Sequence, residues 1–95
     1  MDQRTVLIIE DEPPIVDILK FNLAKEGYAV LEAYDGAAGL DLALSQNPDL
    51  ILLDVMLPKM DGLQVCQQVR EFSQIPIIMV TAKGEDTVSY THLRA

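Results

Sequence analysis

Four short apolar runs punctuate the chain: Val6-Leu7-Ile8-Ile9, a stretch over 28–33, Leu50-Ile51-Leu52-Leu53 and Ile77-Ile78-Met79-Val80. Three of them lack the polar alternation of a strand wetted on one face, so they predict strands covered on both sides. Between the runs the apolar period lengthens to that of a helix. Ile15, Ile18, Leu19 and Leu23 form one such pattern, Leu40, Ala43 and Leu44 a second, and Leu63, Cys66 and Val69 a third. The first helix has an entry signal, because Asp11 or Glu12 can cap it and Pro13-Pro14 fall where backbone donors would be orphaned. Gly27 stops it.

The order strand, helix, strand, helix, strand, helix, strand, joined by right-handed crossovers, makes an α/β fold with a parallel sheet and helices on both faces. Turns are marked by Asp35-Gly36, Asn47-Pro48 and Asp61-Gly62, and no internal repeat is present. In the flavodoxin-like, doubly wound strand order 2-1-3-4-5, ligands sit at the carboxyl ends of the strands, at the switch point between the first and third. Those two runs are the ones that end in carboxylates: Glu10-Asp11-Glu12 after the first and Asp54 after the third.

Neighbouring carboxylates repel until a cation joins them, which makes a divalent-metal pocket the leading chemistry. Mg²⁺ takes about six oxygens at roughly 2.1 Å and retains several waters, so two carboxylates and a carbonyl suffice. Asp11 and Asp54 are the direct candidates, the backbone carbonyl of Met56 a third ligand, and Glu10 the holder of a metal-bound water. The bland alternative is that Glu10 to Glu12 only cap a helix and Asp54 only ends a strand. A carboxylate beside a metal also serves as a nucleophile toward phosphorus, and Asp54 is placed for that. Thr81, at the end of the fourth strand, offers a hydroxyl to a phosphoryl oxygen, and the small Ala82 leaves the approach open. The loop 55–62 holds Pro58 and Gly62 and reads equally as a source of amide donors or as an ordinary turn. Lys83 reads as a solvated charge, and Cys66 as core filler on the apolar stripe of its helix.

Composition narrows the classes without changing this picture. With 95 residues, 49% hydrophobic and 23% charged, the chain holds at most one soluble domain. Fifteen acidic against seven basic residues give a net charge of -8, which disfavours direct contact with nucleic acid or anionic membrane. A single cysteine excludes an internal disulfide framework, and no signal peptide or long apolar span is legible, so the expected compartment is the cytoplasm.

Taken together, the segments 6–12, 50–58 and 77–82 resemble three signature stretches of the receiver domain of two-component response regulators, especially those whose receiver precedes a winged-helix DNA-binding domain. The resemblance implies Asp54 as phospho-acceptor, Mg²⁺ held by Asp11, Asp54 and the Met56 carbonyl with Glu10 acting through water, and Thr81 as switch hydroxyl, with Ala82 beside it. It further implies a sensor histidine kinase as donor, a homodimer in the full-length protein, and DNA contact only through an effector domain outside this chain. No enzyme activity is implied beyond Mg²⁺-dependent self-phosphorylation and self-dephosphorylation.

The family's lysine, fifth strand and last helix have no counterpart, so residues 1–87 read as an incomplete receiver with strand order 2-1-3-4. Residues 88–95 read as a non-native tail, similar to one reading frame of a transposon-based sequencing adapter, and His92 is given no role. Such a chain is expected to be marginally stable, to expose the fourth strand as an edge, and to bind Mg²⁺ weakly with impaired phosphorylation. Two other readings are a pseudo-receiver that only binds partners and, less favoured, an aspartate-nucleophile phosphatase of the haloacid dehalogenase type. That type resembles Asp-x-Asp, and here Met56 stands two positions after Asp54.

Overall fold

A computed structural model describes residues 3–54, 57, 60–80 and 88–89. The elements are β1 (Thr5–Ile9), α1 (Pro13–Lys25), β2 (Ala29–Ala33), α2 (Gly36–Gln46), β3 (Leu50–Asp54), α3 (Gly62–Arg70), β4 (Ile77–Val80) and β5 (Val88–Ser89). They form one sheet in the order β2-β1-β3-β4-β5. The first four strands run parallel, with Ile9 opposite both Ala33 and Leu53, and Asp54 opposite Val80. This is the flavodoxin-like order 2-1-3-4 expected from the apolar runs.

One difference lies at the far edge. No strand was expected after Val80, yet Val88–Ser89 pairs antiparallel with Met79 and Val80. The direction follows from chain length, since a parallel neighbour needs a crossover of a dozen or more residues and Val88 follows Val80 too closely. The β4 edge is thus half covered rather than bare.

Alternation along the strands gives the sheet two unlike faces. Leu7, Ile9, Ala33, Ile51, Leu53, Ile77 and Met79 point to one face, where they pack with Ala43 of α2 and with Val65, Cys66 and Val69 of α3 in a continuous buried cluster. On the other face Val6 and Ile8 are buried, as is Val16 of α1, whereas Leu50, Leu52, Ile78 and Val80 remain half-buried.

The helical patterns were right about the elements but not always about the side they bury. Ile18, Leu44 and Leu63 are exposed, Ile18 at 61%, while Val16 and Val65 take the buried positions. Helix α1 carries apolar residues around more than half its circumference, so its period alone does not select a face. Its tertiary setting does, through packing on β1 and β2, and Lys20 Nζ then lies beside Glu32 of β2 at 2.5 Å. Likewise Glu12 occupies the N-cap of α1 without a side-chain cap bond. Pro13 and Pro14 leave no N–H there to satisfy, and the Ile15 and Val16 amides both donate to the Glu12 carbonyl instead.

Among the described residues, no helix is long and apolar enough to cross a membrane.

Candidate metal centre

The site is built where β1 and β3 end side by side. Asp54 is the last residue of β3, and Leu53 before it is paired with Ile9 of β1. Glu10 follows directly and prolongs the sheet ladder, its amide donating to the Ala33 carbonyl at 3.0 Å. The register therefore sets Glu10 beside Asp54, and Asp11 turns out of the sheet toward the start of α1. Ligand oxygens of Glu10, Asp11 and Asp54 all lie within 4.8 Å of one another.

Burial makes this gathering costly. Glu10 is 3% and Asp54 5% exposed, whereas Asp11 is exposed. Desolvation, then the negative charge of Asp54, push the Glu10 carboxyl up to about 7 from an ordinary 4.5, with Asp11 adding to the rise. Only the Glu12 amide, donating to Glu10 Oε2 at 3.2 Å, acts the other way. Two full carboxylate charges at such a separation repel by about 3 kcal/mol near a protein surface, so three together call for a cation or a retained proton.

The surroundings decide between a cation and an anion as ligand. A helix start usually offers free amides to phosphate, but α1 has prolines at its first two positions and its next two amides are taken by Glu12. Helices α2 and α3 start differently, with Asp35 accepting from Ala38 N at 2.8 Å and Asp61 accepting from Gln64 N at 3.0 Å. Among the described residues, the ligand atoms gathered before α1 are thus carboxylate oxygens, in keeping with a hard divalent cation. Three residues expected at the site, Met56, Thr81 and Ala82, lie outside the described residues, as do Lys83 and His92.

Cys66 sits in the core, where burial pushes its thiol up, which agrees with its reading as filler. Two local devices were not legible in the sequence. Arg70, at the end of α3, holds the turn into β4 by donating from Nη1 to the Ser73 carbonyl at 3.1 Å and from Nη2 to the Ile75 carbonyl at 2.6 Å. Gly36, read only as part of a turn, lies against Met60 just before α3.

Comparison with known proteins then places this geometry. The model of the response regulator receiver domain matches residues 6–95. The chain belongs to the response regulator receiver domain family. Receivers of solved structure agree. A CheY-like receiver domain protein from Methanospirillum hungatei JF-1 is 29% identical with a TM-score of 0.83, the match covering 88% of this chain and 68% of that one. The N-terminal domain of a response regulator receiver protein from Methanoculleus marisnigri JR1 is 34% identical with a TM-score of 0.81, covering 86% and 69%. The BeF3-activated N-terminal receiver domain of Klebsiella pneumoniae RstA is 30% identical with a TM-score of 0.80, covering 87% and 71%. As a receiver, the chain is a signalling domain of two-component systems, and its acidic cluster stands at the switch point of the receiver sheet.

Proposed function

We propose that this receiver takes a phosphoryl group on Asp54, with Asp11, Asp54 and the Met56 carbonyl holding Mg²⁺ and Glu10 engaging a metal-bound water. The observation that carries the reading is the convergence of the Glu10, Asp11 and Asp54 oxygens within 4.8 Å, two of the three residues being buried. When bound, Mg²⁺ supplies the positive charge that lets an anionic carboxylate meet an anionic phosphoryl group.

The chain's own residues do the rest. Asp54, fixed at the end of a buried strand, presents a carboxylate oxygen in line with the bond to be broken. Its oxygen bonds to phosphorus as the phosphorus–nitrogen bond of a phosphohistidine breaks, the electron pair leaving with the imidazole nitrogen, which takes up a proton. Thr81 donates its hydroxyl to an oxygen of the resulting acyl phosphate, and Ala82 keeps the approach open. Glu10, charged once the cation is present, holds water rather than a proton. The donor in this reading is a sensor histidine kinase in the cytoplasm. The output is transcriptional, through a DNA-binding effector and a homodimer of the full-length protein.

The test is incubation with acetyl phosphate and mapping of the product by intact-mass and peptide mass spectrometry. A single phosphoryl group on Asp54, dependent on Mg²⁺ and absent from Asp54→Asn, is the expected result. Incorporation that persists in Asp54→Asn would overturn the assignment.

A further inference from the structure

Helix α2 meets β1 with no side chain of its own in between. A Cβ on Gly39 would lie 2.4 Å from Ile9 Cδ1, 2.7 Å from Ile9 Cγ1 and 3.0 Å from Ile9 Cγ2, so its nearest neighbours all belong to one residue. Backbone geometry does not ask for a glycine here, since among the described residues Gly27 is the glycine with a left-handed φ. Alanine is the better helix former, and one turn later the same face of α2 carries Ala43, buried in the core that also holds Ile9. Space therefore explains Gly39, and Ile9 takes that space.

Ile9 has little freedom to give it up. It is fully buried, its branch at Cβ restricts χ1, and its backbone is flanked on both sides, by Ala33 of β2 and Leu53 of β3. It is also the last residue of β1, directly before Glu10, whose amide continues the ladder onto the Ala33 carbonyl at 3.0 Å. Its partner Leu53 directly precedes Asp54. The Gly39 contact thus bears on the strand end from which Glu10 and Asp11 reach the Asp54 oxygens.

We propose that Gly39 and Ile9 form a size-matched pair that positions the metal centre: α2, unspaced by a side chain, presses on Ile9 and fixes the end of β1 where Glu10 and Asp11 extend beside Asp54. This rests on the Mg²⁺ reading above. Mg²⁺ demands near-ideal octahedral geometry, so a shift of about half an ångström in the strand end costs affinity while the fold persists. A glycine that served only core packing would behave otherwise, because its replacement would change stability and leave the affinity of the folded molecules alone.

Mg²⁺ titration of the full chain by calorimetry, well below each unfolding transition, separates the two. Gly39→Ala is expected to bind about tenfold more weakly than wild type, as changes to residues that orient metal ligands commonly do. Ile9→Val removes the Cδ1 atom that the new methyl would strike, so the double variant, which moves one carbon from strand to helix, is expected to recover most of that loss. Val69→Ala, a buried change at the far end of α3, is expected to lower stability and keep wild-type affinity. Wild-type affinity in Gly39→Ala, no recovery in the double variant, or equal weakening in Val69→Ala overturns the proposal. Should Gly39→Ala fail to fold, Ile9→Val decides: the gap it leaves under Gly39 is expected to weaken Mg²⁺ binding, and wild-type affinity there overturns the proposal. An Asp54→Ala control that binds Mg²⁺ like wild type would sink the metal reading itself and this inference with it, whereas a weakened control beside an unaffected Gly39→Ala sinks this inference alone.

Discussion

The two faces of the sheet are made by alternate residues of the same strands, yet they do different work. The face of Ile51, Leu53, Ile77 and Met79 is sealed by α2 and α3. Among the described residues, the opposite face is covered by α1 over β1 and β2, and Leu50, Leu52, Ile78 and Val80 are half-buried. Asp54, and by the same alternation Glu10, belong to the second face and stand at its carboxyl end. The contrast teaches that cohesion and chemistry are held on opposite sides of one layer. The sealed side fixes the strands, and the strands fix the acids.

Truncating matched leucines sharpens this most. Leu53→Ala on the sealed face is expected to lose about 2–5 kcal/mol in chemical denaturation, whereas Leu52→Ala next to it loses about 1–2 kcal/mol because its site is already partly wet. Equal losses would break the asymmetry.

Acidity tests the second face. Glu10 has a raised folded pKa, so without metal the folded chain holds a proton that the unfolded chain has released. Its contribution is full below pH 4.5 and is lost as pH rises through about 7, by at most about 3 kcal/mol. Thermal unfolding in a chelator should therefore show stability falling across this window in the wild type, and a flatter profile in Glu10→Gln. Added Mg²⁺ favours the charged form, so its stabilising effect should grow over the same window.

The smallest effect belongs to the outer edge. Lys20 and Glu32 pair on the surface, with Tyr34 donating to Glu32 Oε1 at 3.0 Å. Exposed pairs of this kind are screened and entropically costly, so Lys20→Ala should leave the denaturation midpoint unchanged within error.

Much of this was legible in the sequence, for identifiable reasons. The strands announced themselves because both faces of a parallel sheet favour apolar residues, and Glu10, Asp11 and Asp54 stood out as charges ending such runs. Strand neighbours and the switch point then followed from topology alone. The buried side of α1 did not, since Ile15, Val16, Ile18, Leu19 and Phe21 offer several apolar stripes and only packing chooses Val16 over Ile18. Phe21, exposed at 66%, makes the same point. Nor could the pattern show Gly36 against Met60, because that contact arises where the starts of two helices meet.

The central claim is that Asp54 completes a divalent-cation site with Asp11 and Glu10, and its most direct test is Mg²⁺ titration of the wild type against Asp54→Ala. Saturable Mg²⁺ binding in the wild type that is lost or at least about tenfold weaker in Asp54→Ala is the predicted result. Equal affinity in the two proteins would contradict it.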